Sequence, residues 1–228
     1  MRRRSTRANL VAVSDDKIPV DMEDLEMQGN IFLPDLIPIY GERLSYFIAG
    51  PPGCGKSTTT AEILSLFPTQ VKYLFTDLDT DDRAFEGIKF RRVKMETSIL
   101  ETITLEKLTK DGDCWCVFDD IDKIRDPKKA KVLLALMDNI LANGRSHGGN
   151  NINCIITSHS LSDYKRTKYA IENCNYWVIF PSKTMKNQTL CLLKKNGFES
   201  LPIREFDRVF IHRSSPNFIV TPFSISLI

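Results

Sequence analysis

Residues 50–57 read GPPGCGKS, directly after the apolar run SYFIA at 45–49. This order predicts a buried strand, a glycine-rich turn and a helix opening at Gly55-Lys56-Ser57. Few folds accept that sequence of conformations except around a bound phosphate. Gly50, Gly53 and Gly55 let backbone N–H groups approach and wrap an anion at a helix N-terminus, where the helix dipole favours negative charge. Lys56 then reaches the β- and γ-phosphates, and the Ser57 hydroxyl is the Mg²⁺ ligand. The nucleotide-binding set is Gly50, Pro51, Pro52, Gly53, Cys54, Gly55, Lys56, Ser57 and Thr58. ATP with Mg²⁺ is the expected ligand pair.

The rest of the chain supplies the sheet such a loop needs. Strands are expected at Tyr46–Ala49, Val71–Thr76, Ile88–Val93, Trp115–Phe118, Ile152–Thr157 and Tyr176–Phe180, with helices at Lys56–Leu66, Ile99–Thr109, Pro127–Asn143 and Leu161–Glu172. Buried apolar strands separated by helices imply a doubly wound α/β fold: a mostly parallel sheet with helices on both faces. The segments Arg208–His212 and Phe218–Thr221 flank SSPN and read as a C-terminal β-hairpin closing the sheet edge. Residues 1–40 read as a partly disordered N-terminal arm, with a basic tip and an acidic stretch, and 41–228 as the P-loop ATPase domain.

Composition narrows the class. The chain has 228 residues, 42% hydrophobic and 26% charged, which suits one sizeable soluble domain. No apolar run approaches the roughly 18 residues of a membrane span. Arg2, Arg3, Arg4 and Arg7 are not followed by an apolar core, so no secretory signal is expected. A net charge of +2 leaves any nucleic-acid contact to local clusters. The six cysteines form no C-x-x-C pair and read as reduced thiols, mostly in the core.

Residues 114–122, CWCVFDDID, run an apolar strand into Asp119 and Asp120. Strand ends form the ligand crevice of a doubly wound sheet, so both carboxylates are expected beside the phosphate loop, on a neighbouring strand. Asp119 is the metal anchor and Asp120 the group that orients or deprotonates the attacking water. Capping of the next helix is the bland alternative. A competing strand, VKYLFTDLD at 71–79, ends in Asp77 and Asp79, and the two remain open, with the weight on Asp119. INCIITSH at 152–159 delivers Thr157, Ser158 and His159 to the same crevice, where His159 can sense the γ-phosphate, or these groups cap the following helix. Arg145, at the end of the helix after Asp119, is either a solvated arginine or a finger onto a neighbour's nucleotide.

Taken together, IAGPPGCGKST, CVFDDID, ANGRSHGGNNINCIITSH and SLSDYKRTK resemble the genome-packaging ATPases of large eukaryotic DNA viruses, the poxvirus type, and their virophage relatives, within the FtsK–HerA group. The resemblance spans about Ser45 to Ser182. It implies ATP-driven, sequence-independent translocation of double-stranded DNA into a preformed capsid by a homo-oligomeric ring. Capsid vertex or portal proteins are the implied partners, and the host cytoplasm, the viral factory or the virion the implied place. It assigns Lys56 and Ser57 to phosphate and Mg²⁺, Asp119 to the metal, and Arg145 to the trans-acting arginine. Asp120 stands where many relatives have Glu, and His159 where FtsK-like relatives have Gln. DNA contacts are sought among Lys128, Lys129, Lys131, Lys165, Arg166, Lys168, Lys183, Lys186 and the arginine tip; each group also reads as a solvated charged face. An AAA+-like remodelling or helicase-type ATPase is the alternative, weakened by the lack of room for a C-terminal helical domain. A nucleotide kinase would need an acceptor site and an arginine-rich lid, and neither is evident.

Overall fold

A computed structural model describes residues 11–13, 19–21, 43–78, 82–145, 148–161, 164–181, 186–195, 208–213, 218–221 and 224–227. Strands β1 (Val11–Val13) and β2 (Pro19–Asp21) pair antiparallel within the segment expected to be a partly disordered arm. The remaining strands are β3 (Ser45–Ala49), β4 (Val71–Phe75), β5 (Arg91–Arg92), β6 (Cys114–Phe118), β7 (Ile152–Ser158), β8 (Tyr176–Ile179), β9 (Val209–His212), β10 (Phe218–Thr221) and β11 (Ser224–Leu227). They form one sheet in the order β11-β10-β9-β8-β3-β7-β6-β4-β5. Strands β8 to β5 in that order are parallel, and β9, β10 and β11 extend the β8 edge antiparallel.

The central strands are continuous apolar runs because both faces are covered. Alternation along β3 sends Phe47 and Ala49 into one core, with Phe118, Leu133, Met137 and Ala170, and Tyr46 and Ile48 into the other, with Ile63, Leu64 and Trp115. The first face carries α2 (Thr97–Leu100), α3 (Leu105–Thr109), α4 (Pro127–Asn143), α5 (Tyr164–Asn173) and α6 (Lys186–Lys195). The second is covered by α1 (Lys56–Ser65) and a 3₁₀ turn at Arg83–Phe85. Aromatic rings fill the space beneath α1: Tyr46 stacks on Tyr176 at 4.7 Å between centroids, and Phe67 meets Trp115 at 5.0 Å. Each of the fully buried rings among them, Tyr46, Trp115 and Tyr176, contributes roughly 1.5–3 kcal/mol.

Helix α4 occupies the residues the sequence predicted. Asp126 caps it by accepting from the Lys128 and Lys129 N–H groups, with Pro127 in the first turn. Two expectations change. Ile99–Thr109 is split into α2 and α3, because Thr104 accepts from Lys107 N–H and starts a new helix. Ile88–Val93 shrinks to the two-residue edge strand β5. The cysteines are all free, with Cys114, Cys116, Cys154 and Cys174 buried. Among the described residues, no helix is long and apolar enough to cross a membrane.

Candidate functional site

Strand β3 passes into the loop at Gly50, whose N–H donates to Ser158 O at 3.1 Å and so anchors the loop to the end of β7. A Cβ on Gly50 would fall 2.5 Å from Cys54 Sγ and 2.7 Å from Phe180 Cβ. Gly55 has φ +104° and serves as the N-cap of α1 with no side-chain cap, and the first turn holds no acidic residue. The opening N–H groups of α1 therefore face the loop unneutralised, which is the electrostatic preparation for an anion. Ser57 is half-buried and Thr58 exposed in that first turn, while Pro52 and Gly53 stand outside on the loop.

Lys56 is only 7% exposed. Its ammonium lies 3.1 Å from Gly50 O, 3.4 Å from Pro51 O and 3.3 Å from His159 Nδ1. An ammonium has three protons and no acceptor, so all three are engaged and His159 Nδ1 must accept. The proton of the neutral ring then sits on Nε2, which donates to Asp120 Oδ2 at 2.7 Å. Asp120 Oδ1 is 4.0 Å from the Lys56 ammonium. One imidazole thus joins the loop lysine to the carboxylate at the end of β6.

Asp120 has φ 49° and ψ 51°, and among the described residues no other non-glycine has positive φ. Aspartate tolerates this left-handed conformation better than most residues, and here neighbours hold it there. Its N–H donates to Thr157 Oγ1 at 2.7 Å, and the Thr157 hydroxyl donates to Asp119 Oδ1 at 2.9 Å. Asp119 Oδ2 accepts from Thr76 Oγ1 at 3.3 Å. Asp119 is 6% exposed. Burial, and then the Asp120 charge, raise its pKa to about 6, against the two hydroxyl hydrogen bonds and Lys56, which lower it. Asp122 Oδ1 accepts the His159 N–H at 3.0 Å, fixing the turn that carries the imidazole.

Lys56, Asp120 and His159 therefore converge, with Asp119 one hydroxyl away. The expectation of adjacent strands is corrected: β7 lies between β3 and β6, and its end supplies the bridge. Asp77 does not reach the loop; its carboxylate pairs with Lys129 at 2.7 Å, and its neighbour Thr76 turns towards Asp119 instead. Arg145 is exposed beyond Gly144, whose carbonyl accepts from Ile152 N–H at the start of β7. The seven residues of β7 put it about 20 Å from the loop end of the sheet. Within one chain it is apart from the other candidates.

Of the basic candidates, Arg166 donates to the carbonyls of Asp122 and Ile124, and Lys168 pairs with Glu172. Lys128, Lys131 and Lys165 are exposed. Lys183 and the arginine tip lie outside the described residues, as does the Lys186 side chain. The sequence marked Thr157 only as a polar strand end. It gave no signal for Thr76, Asp122 or Arg208. Arg208 Nη1 donates to Thr59 Oγ1 at 2.9 Å and Glu62 Oε2 at 3.1 Å, tying β9 to α1 across 149 positions of chain.

The family model of the AAA domain (dynein-related subfamily) matches residues 45–172, more than half of the chain. The chain belongs to that family. This AAA domain carries the nucleotide-binding P-loop of an NTPase, and the match ends before the C-terminal region whose lack of room for a helical domain weighed against an AAA+-like reading. A curated relative, uncharacterized protein V3 of Sputnik virophage, is 28% identical over 184 residues, covering 78% of this chain and 70% of that protein. The crystal structure of B204, the DNA-packaging ATPase of Sulfolobus Turreted Icosahedral Virus, shares the fold at TM-score 0.51 and 12% identity, over 82% of this chain and 98% of that one. B204 of Sulfolobus turreted icosahedral virus 2 in complex with ATP-gammaS aligns at TM-score 0.47 and 11% identity, over 79% and 98%. The doubly wound P-loop fold expected from the sequence is the fold shared with the B204 crystal structure.

Proposed function

We propose that this AAA domain is a Mg²⁺-dependent ATPase that pumps double-stranded DNA into a preformed viral capsid. The observation that carries the reading is the convergence of Lys56, His159 and Asp120 at the strand ends, with Asp119 held beside them. The fold shared with B204, a DNA-packaging ATPase, supports the packaging part of the reading, and the virophage relative its viral part. Lys56 would exchange its loop carbonyls for the β- and γ-phosphates. Asp120, oriented by His159 and held by Thr157, would position the attacking water and take its proton, as the transferring phosphoryl group demands.

The residues fit a magnesium ion. Asp119 is a buried carboxylate whose ionised form is disfavoured, and a divalent cation would reverse that. Magnesium bound to nucleotide draws most of its ligands from water and phosphate oxygens, so Asp119 and the Ser57 hydroxyl suffice on the protein side. When bound, the ion neutralises charge on the transferring phosphoryl group. Arg145, remote within its own chain, would act on the nucleotide of the next subunit in a homo-oligomeric ring of the FtsK–HerA kind. Capsid vertex proteins are the corresponding partners, and the viral factory or virion the corresponding place.

The test is steady-state ATP hydrolysis with and without duplex DNA at two salt concentrations, with Lys56→Ala as blank. Stimulation that fades with salt is expected. Hydrolysis indifferent to DNA would favour the second reading, an AAA-type remodelling ATPase, which the family match itself supports.

A further inference from the structure

A cleft of about 550 Å³ opens at the ends of β4 and β5, joined to Asp119 through the Thr76 hydroxyl, and the nucleotide chemistry above makes no use of it. Arg92, Lys94 and Lys129 line it together with Thr76, Asp77 and Leu78. Arg92 to Glu96, the run that leaves the short edge strand β5, line the cleft in succession. Arg91 is committed elsewhere, bonded to Asp111 at 2.5 Å with its guanidinium 5.8 Å from the Tyr73 ring centroid. Leu78 stands on the same rim, 49% exposed, one of two large apolar side chains exposed among the described residues. Two carboxylates also face the cleft, Glu96 and Asp77, the latter paired with Lys129 at 2.7 Å.

We propose that this cleft is where the backbone of duplex DNA docks, and that it reports to the hydrolytic site through Thr76. The proposal rests on the DNA-pumping reading and locates the DNA contact within it. Arginine and lysine gathered at the sheet edge suit phosphate contacts that position a duplex without reading it. A phosphodiester drawn to Lys129 competes with Asp77 for the same ammonium. Asp77 follows Thr76 directly, and the Thr76 hydroxyl both accepts the Leu78 N–H at 3.3 Å and donates to Asp119. Docking at the rim therefore pulls on the segment that sets the Asp119 hydrogen bond.

The experiment is fluorescence anisotropy of a 30-base-pair duplex, of about that length and mixed sequence, titrated with the full chain across a salt series. For the double variant Arg92→Ala/Lys94→Ala, the slope of log K against log salt should be shallower by about 1.8, two phosphate contacts at about 0.9 each. Lys194→Ala/Lys195→Ala on α6 removes equal charge elsewhere and should keep the wild-type slope. Asp77→Asn, which removes the competing carboxylate, should bind the duplex more tightly. An unchanged slope in the first variant, or no tightening in Asp77→Asn, overturns the cleft while leaving the pumping reading in place. A wild-type chain that binds no duplex at all overturns both.

Discussion

His159 and Asp120 meet at 2.7 Å across the ends of β7 and β6, with the other ring nitrogen of His159 3.3 Å from Lys56. The imidazole is the acceptor for one charged group and the donor to the other, a pair of tasks alanine cannot perform. His159→Ala should lower kcat roughly 10- to 100-fold with a small change in KM for ATP, the scale of a lost hydrogen bond to a charged group. Steady-state kinetics separate the two constants. A rise in KM alone would move His159 from turnover to binding.

Thr157 predicts a sharper contrast. Its hydroxyl holds Asp120 in a left-handed turn and Asp119 in place, and Thr157 is fully buried. Thr157→Val keeps the shape, loses both bonds, and should cost stability of about 1–3 kcal/mol along with most turnover. Thr157→Ser should restore activity. Parallel melting and ATPase assays check this: under conditions where Thr157→Val is still folded its kcat should remain low, whereas a purely structural role would leave the folded variant active.

Asp119 makes stability pH-dependent in a defined direction. Its folded pKa of about 6 lies above the ordinary 3.8, so between those values the folded state holds the extra proton and stability falls as pH rises. Asp119→Asn removes this dependence. The stability of the variant relative to wild type should grow from about pH 4 to pH 6, by on the order of 3 kcal/mol at most, and then level off. Chemical denaturation in EDTA over that range measures it, and a difference independent of pH would contradict the assignment.

Gly50 has no space for a methyl group. Gly50→Ala should destabilise the loop by about 1–3 kcal/mol and weaken nucleotide binding. Adding Cys54→Ala should relieve only part of this, because the Phe180 Cβ remains 2.7 Å from the new atom. Melting temperature and binding of a fluorescent ATP analogue test both variants.

Arg145 should act between subunits. Arg145→Ala alone should lose hydrolysis, and mixing it with Lys56→Ala should restore part of it, where an intact loop meets an intact arginine. Mixtures that stay inactive at every ratio would remove the trans assignment.

The loop, the strand ending in two aspartates and helix α4 were legible because each rests on local chemistry: glycine conformations, an apolar run meeting charge, and an Asp-Pro helix start. Asp77 and Asp119 looked alike for the same reason, since both follow buried strands. Only the sheet order separates them, and sheet order is a matter of long-range pairing. The break between α2 and α3 turned on one threonine choosing to cap. The bridge through Thr157, and the reach of Arg208 to α1, depend on residues far apart in sequence and left no local pattern to read.

That reach of Arg208 has a consequence for how the protein comes into being. On the ribosome the phosphate loop emerges some 149 positions ahead of the residue that braces its helix from the β9 side. A nascent chain can shape the glycine turn early, yet α1 stays anchored from one flank until Arg208 has been made. The glycine turn therefore exists in the nascent chain well before its helix is braced from both sides, so that a chain not yet extended to Arg208 carries the motif without the finished grip.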